Sequence, residues 1–158
     1  MSTVKPIPAG HHTVTPYLAI RNAAKALEFY KTAFGATETY KLLMPDGRLG
    51  HAEVRLGDSV IMLSDEFPEF GGKAPDTLGG SPVSIHLYVE DVDAFVARAL
   101  AAGARERKPV MDQFYGDRSG QLEDPFGHLW WVATHKEDVP PAELQKRVQA
   151  MCAGKAQV

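Results

Sequence analysis

His51 and Glu53 stand two residues apart in the run Leu49-Gly50-His51-Ala52-Glu53-Val54-Arg55-Leu56, and His86 lies between Ser84 and Tyr88 in a second strand-forming run. In an extended strand, residues i and i+2 share a face. Ala52, Val54 and Leu56 therefore take a core side and leave His51, Glu53 and Arg55 on the other, while Ser84, His86 and Tyr88 share one face of their own strand. A carboxylate and an imidazole on one surface can move protons near neutral pH, which makes Glu53 and His86 candidate catalytic residues. Two imidazoles and a carboxylate can also hold a divalent ion, so His51, Glu53 and His86 form a candidate metal set, with Glu123 or Gln121 as a fourth donor. The same residues can instead form a hydrogen-bonded network in which Arg55 pairs with Glu53. The pattern alone leaves all three readings open.

The elements that must position these residues read as one unit written twice. The β-branched and aromatic stretch Thr13 to Ile20 reads as a strand, with Pro16 marking an edge or bulge. Asn22 is placed to cap a helix whose apolar residues Ala23, Ala26, Leu27, Tyr30, Ala33 and Phe34 recur at helical spacing before Gly35. Strands Thr37 to Met44, Leu49 to Leu56 and Ser59 to Leu63 follow, separated by the turn signals Pro45-Asp46-Gly47-Arg48 and Gly57-Asp58. At an offset of about 69 residues the grammar repeats. A strand from Val83 to Val89 leads to a helix capped by Asp91 and stopped by Gly103, then to strands near Lys108 to Phe114, Ser119 to Glu123 and His128 to Thr134. The bend Asp124-Pro125-Phe126-Gly127 precedes the last of these. Trp130 and Trp131 should send one indole to each face, Trp130 to the core and Trp131 to the cleft.

The expected fold class is therefore α+β, two βαβββ modules (13–65 and 83–135) forming a curved mixed sheet around a cleft. Together they make one domain over 13–135. The linker 66–82, rich in Pro, Gly and acid, is a lid or a hinge, and a C-terminal helix over 139–153 carries the stripe Leu144, Val148 and Met151 for docking on the domain or on another subunit.

With 158 residues, 44% hydrophobic and 23% charged, the chain suits a single globular domain. A net charge of −3 with scattered Lys and Arg argues against nucleic-acid or anionic-membrane binding. No run reaches the roughly 18 apolar residues of a membrane span, and Met1 to Thr13 lacks the apolar core of a signal peptide. The single cysteine, Cys152, excludes an intrachain disulfide and fits a cytoplasmic address. A Gly-x-Ser-x-Gly elbow, a Walker loop and a glycine-rich nucleotide loop are all missing, which argues against esterase, NTPase and S-adenosylmethionine chemistry.

The duplicated unit, with Leu27-Glu28-Phe29-Tyr30 leading to Phe34-Gly35 and Asp124-Pro125-Phe126-Gly127-His128 before the last strand, resembles the vicinal-oxygen-chelate superfamily of glyoxalases, extradiol dioxygenases and bleomycin resistance proteins. Val14-Thr15-Pro16-Tyr17-Leu18, His51-Ala52-Glu53, Ile61-Met62-Leu63-Ser64-Asp65-Glu66, His86-Leu87-Tyr88-Val89 and Gly116-Asp117-Arg118 are similar to its PhnB-like branch. Metal-dependent members hold their ion with His and Glu from the first and last strand of each copy. The resemblance puts Thr15, Met62, Ser84 and Trp131 at those positions. Two hydroxyls, a thioether and an indole do not suit a divalent ion. The resemblance thus implies a small-molecule binder with no cofactor. Its cleft would be walled by Tyr17, Met62, Tyr88 and Trp131, and its ligand oriented by Thr15, Ser84, His51, Glu53 and His86. The alternative is a lyase, isomerase or dioxygenase working through a displaced divalent metal or an acid–base pair at His51, Glu53 and His86. Pairing around the cleft implies a homodimer.

Overall fold

The computed structural model describes residues 4–155, with side chains through residue 153, so the first three residues of the stretch Met1 to Thr13 lie outside it. Two four-stranded mixed sheets carry the architecture. In the first, β1 (Tyr17–Ile20), β4 (Ser59–Asp65), β3 (Leu49–Leu56) and β2 (Thr37–Leu43) lie in the order β1-β4-β3-β2. In the second, β5 (Ser84–Tyr88), β8 (Leu129–His135), β7 (Asp117–Glu123) and β6 (Arg105–Asp112) repeat that order as β5-β8-β7-β6. Each module's first strand runs parallel to its last, with Tyr17 opposite Met62 and His86 opposite Trp131. The duplicated α+β architecture read from the sequence is thus the observed one.

Helix α1 (Ala23–Phe34) buries Ala23, Ala26, Leu27, Tyr30, Ala33 and Phe34 as its spacing requires. Helix α3 (Val92–Ala101) starts at Asp91, whose side chain accepts from the Ala94 amide. Asn22 does not cap α1. It sits in the left-handed region with φ 67° and makes no side-chain bond to the helix. Asp65, at the end of β4, caps it instead. One oxygen accepts the Ala23 amide at 2.8 Å and the other the Leu49 amide at 2.6 Å.

The first strand is shorter than expected, beginning at Tyr17 rather than Thr13. Pro16 has no N–H to extend the ladder, and the Thr15 hydroxyl donates to the His12 carbonyl, which turns the preceding segment away. β6 and β7 each start earlier than expected, at Arg105 and Asp117.

One core serves both modules. Phe34 of α1 stacks on Phe95 of α3 with ring centroids 5.2 Å apart, and both Tyr30 and Phe34 meet Trp130 of β8 edge-on. Trp130 is fully buried, as strand alternation predicts. Beneath it lies Asp124, also fully buried. Its carboxylate accepts from Tyr30 Oη (2.7 Å), Trp130 Nε1 (2.9 Å) and the backbone amides of Phe126 (2.9 Å) and His128 (3.0 Å). Burial, reinforced by Asp124, holds the Tyr30 phenol well above its ordinary pKa, so it stays a donor.

The linker is packed. It forms a 3-10 turn (Pro68–Phe70) and the short helix α2 (Pro75–Leu78), with Ala74 and Pro75 buried. Glu66 gathers it by accepting from Thr77 Oγ1 (2.6 Å), the Ala74 amide (3.0 Å) and Arg21 Nε (3.0 Å). Gly127, with φ 89°, lets Pro75 approach so closely that a Cβ would stand 2.8 Å from it. Helix α4 (Pro141–Lys155) is the expected C-terminal helix, begun two residues later than read from the sequence. Val148 and Met151 are exposed, and Arg147 ties the helix back through Glu137 and the Phe114 carbonyl. Of the apolar stripe, Leu144 is half-buried while the other two residues stay open.

Tyr30→Phe removes one charge-assisted hydrogen bond and should cost about 1.5–3 kcal/mol. Asp124→Ala strands two buried side-chain donors and should cost about 3–5 kcal/mol, or prevent folding. Urea unfolding of both variants checks the order. Glu66 is held at about 2, against its ordinary 4.5, first by Thr77, then by the Ala74 amide and Arg21. A depressed carboxylate stabilises fully above its unfolded pKa and loses that contribution as pH falls through the folded one. The stability gap between the native chain and Glu66→Gln should therefore shrink from pH 4.5 down to about pH 2, read by thermal unfolding across that range.

Candidate functional site

Strand alternation delivers His51, Glu53 and Arg55 to one face of β3, opposite the buried Ala52 and Val54. β2, beside β3, adds Tyr40 and Leu42, and β1, on the far side of β4, adds Tyr17, each about half exposed. Tyr17 Oη lies 3.0 Å from His51 Nδ1, and His51 Nε2 lies 3.4 Å from Glu53 Oε1. A carboxylate can only accept, so the neutral ring carries its proton on Nε2 and takes the Tyr17 hydroxyl at Nδ1. The N-terminal segment crosses this face. His11 Nε2 stands 3.4 Å from the same Glu53 oxygen, and Arg55 lies against Gly10 rather than pairing with Glu53. The expected Arg55–Glu53 pair is thus replaced by two imidazoles.

The second sheet presents a different set. His86 and Tyr88 of β5 are exposed, with ring centroids 4.8 Å apart. They line a cavity of about 500 Å3 whose other wall is the β3–β4 turn, Leu56 to Ser59. Trp131 is half-buried beneath Lys108, whose ammonium sits 5.0 Å from the ring centroid. Tyr88 Oη donates to the buried Asp117 at 3.2 Å. Asp117 also takes His135 Nδ1 at 2.7 Å, while His135 Nε2 faces Asp138 at 3.0 Å. With a carboxylate at each nitrogen, Asp117 first and Asp138 second, His135 is held above its ordinary 6.5.

Of the residues singled out in the sequence, His51 and Glu53 meet directly and Tyr17 joins them. His86, Tyr88, Ser84 and Trp131 stand on the other sheet. Among the described residues no hydrogen bond or ring contact links the two sets, and no three His, Cys, Asp or Glu side chains form a ready-made metal cage. Thr15 precedes β1 with its hydroxyl spent on His12, and Met62 is half-buried on β4. These two, with Ser84 and Trp131, offer a donor set that does not fit a divalent ion at the four positions the resemblance indicates.

The sequence reading missed His11 and the Asp117–His135 pair. Asp117 and His135 are direct cross-strand partners, and starting β7 at Asp117 would have found them. His11 reaches the face only through the tertiary course of the segment ahead of β1, which leaves no periodic signal.

A family model described as Glyoxalase/Bleomycin resistance protein/Dioxygenase superfamily matches residues 10–132. The chain belongs to that superfamily. A Mycobacterium bovis relative, named uncharacterized protein Mb0911c, is 42% identical over 144 residues, covering 89% of this chain and 95% of its own. The X-ray structure of the Arabidopsis thaliana At5g48480 gene product superposes with a TM-score of 0.63 at 29% identity, covering 77% of this chain and 98% of that one. A Bacillus cereus structure described as a putative 3-demethylubiquinone-9 3-methyltransferase, PhnB protein, shares the fold at a TM-score of 0.61 and 18% identity, covering 78% and 99%. Among the described residues, no helix of this superfamily member is long and apolar enough to cross a membrane.

A ring-proton NMR titration should place the His135 midpoint above 6.5, and Asp117→Asn should return it toward that value. Because the pKa is raised, the stabilisation it brings is complete below pH 6.5 and is lost as pH rises through the folded value.

Proposed function

We propose that this protein is a PhnB-like, cytoplasmic member of the superfamily that binds a small, planar, partly polar organic molecule without the superfamily's four-ligand metal site. One observation carries the reading: both sheets turn aromatic and polar side chains outward, with Tyr17 51% and Tyr88 66% exposed, while their opposite faces are packed. Half-exposed rings beside oriented polar groups are what a flat ligand needs for stacking and alignment. Tyr17, Met62, Tyr88 and Trp131 supply the apolar walls; Thr15, Ser84, His51, Glu53 and His86 supply the polar contacts. Two chains pair so that the open face of one covers that of the other, and the exposed Val148 and Met151 of α4 belong to the same contact. Neither nucleic acid nor a membrane surface is among its partners.

Bleomycin, named in the family's description, is the first probe. Trp130 is buried and Trp131 is not, so saturable quenching of tryptophan fluorescence reports on Trp131. Trp131→Ala, which removes that reporter, should weaken binding roughly 2- to 10-fold when titrated by calorimetry, the worth of one aromatic contact. Quenching that is absent for bleomycin and for a panel of planar heteroaromatics would remove the reading, and a monomer in sedimentation equilibrium would remove the pairing.

The Tyr17–His51–Glu53 chain of contacts favours a second reading, acid–base catalysis in a lyase or isomerase. Under it, Glu53→Gln abolishes product formation with ligand affinity kept; under simple binding, no product forms in either protein.

A further inference from the structure

Just ahead of β8, His128 Nε2 donates to the Ala19 carbonyl of β1 at 3.2 Å and ties the two sheets together. Beside this contact lies a cavity of about 310 Å3. Leu18 of β1, Ile85 of β5 and Leu129 of β8 line it from the strands, and Pro75 lines it from the linker. The linker is held there from two sides. Glu66 accepts from its Ala74 amide and Thr77 hydroxyl, and Pro75 occupies the space that Gly127 leaves for want of a side chain. The cavity is therefore formed before any ligand arrives, as small-molecule sites commonly are. Two further lining residues, Leu78 and Val83, are 61% and 67% exposed. Large aliphatic side chains left open beside an apolar cavity are surface that a ligand can cover.

The polar side chains of the lining decide the charge of that ligand. Tyr17 Oη is engaged by His51, Ser81 Oγ donates to the Val83 carbonyl at 2.8 Å, and His128 is spent on Ala19. Lys73, exposed on the linker, makes no hydrogen bond or ion pair among the described residues. The walls thus ask for an apolar body, and the one uncommitted cation asks for a single negative charge. We propose that this cavity binds a small aromatic monocarboxylate, with its rings between the linker and the strands and its carboxylate at Lys73 Nζ. A dry apolar cavity of roughly 150 Å3 accepts a benzene ring, so about 310 Å3 has room for a two-ring body. A rigid two-ring acid also loses less freedom on binding than an alkyl chain of the same volume. The neighbouring cavity of about 420 Å3, across Pro75 and Leu129, offers no such charge, because its Arg107 is paired with Glu123 at 2.7 Å. The site uses neither Trp131 nor His86 and stands independently of the organic-ligand reading.

The test titrates the full chain at neutral pH with naphthoate, and with naphthamide as the uncharged molecule of the same shape. Calorimetry should give one naphthoate per chain, and NMR should show amide shifts at Leu78, Gly80 and Val83. The acid should bind about 5-fold more tightly than the amide, the upper end for an ion pair open to solvent. Lys73→Met should abolish that difference and keep the binding of the amide, while Lys73→Arg should preserve it. Leu78→Ser should weaken both molecules roughly 3- to 10-fold through lost apolar contact. Both side chains are exposed and outside the core, so these variants keep the fold. Absence of saturable naphthoate binding, equal affinity for acid and amide, a difference unmoved by Lys73→Met, or shifts confined to β7 and β8 would each overturn the assignment. Bleomycin quenching of Trp131, run in parallel on the native chain, tests the organic-ligand reading alone, so the two fail separately.

Discussion

A buried carboxylate without a cation beside it is tolerable only when donors fill its lone pairs, and Asp124 meets that condition with four of them. The donors come from α1 of the first module, β8 of the second and the turn between β7 and β8. Losing any one leaves the others around an under-satisfied charge, so the contact is cooperative. It fixes how α1 crosses the second sheet, and with that the stacking of Phe34 on Phe95 and the bond from Arg98 to the Ala33 carbonyl. Both helices are thereby committed to the inside. Among the described residues no helix covers the opposite face of either sheet, and that is where the exposed aromatic and titratable residues collect.

The two open faces differ in what holds them. On the first, the segment ahead of β1 lies across His51 and Glu53 and narrows access to them, while the Tyr17 ring stays at the rim. On the second, the polar groups are pinned from the side: Asp117 engages both Tyr88 and His135, and Lys108 sits on Trp131. A ligand at Trp131 has to displace or share the Lys108 ammonium, which favours a flat molecule with an electron-rich or anionic edge. At the first face His51 stands between the Tyr17 hydroxyl and the Glu53 carboxylate, so a ligand there meets polar groups already engaged with one another.

Much of this was legible in the residues. The alternation of Ala52, Val54 and Leu56 with His51, Glu53 and Arg55 is a local property of an extended chain, and it assigned the faces correctly. So did the Trp130–Trp131 pair and the helical spacing of α1. What escaped were contacts made by distant segments. Asn22 has the side chain of a capping residue, yet the cap comes from Asp65, more than forty positions later, because β4 ends beside the start of α1. Arg55 was the nearest cation to Glu53 in the sequence, but His11 occupies the space. Helix α4 has an apolar stripe, of which the chain shelters Leu144 and leaves Val148 and Met151 open.

The repeat separates scaffold from chemistry. Asp65 ends β4 and accepts the Ala23 amide at the start of α1; Thr134, at the equivalent place in β8, accepts the Val92 amide at the start of α3 and donates to the Val89 carbonyl. Different side chains fill one structural role in both copies. The open faces do the reverse. Tyr17 and His86 hold matched positions opposite Met62 and Trp131, and Glu53 and Gln121 are the β3 and β7 residues opposite that same pair. One step further along, His51 answers to Ser119. The ladder keeps the backbone geometry of the two faces alike, yet the carboxylate with an imidazole two residues before it exists on one face only. A symmetric cleft would ask for matching donors from both modules. Here His51 and Glu53 on the first face, with His11 beside them from outside the repeat, answer to Ser119 and Gln121 on the second, whose own ionisable groups, His86, Asp117 and His135, stand at other positions.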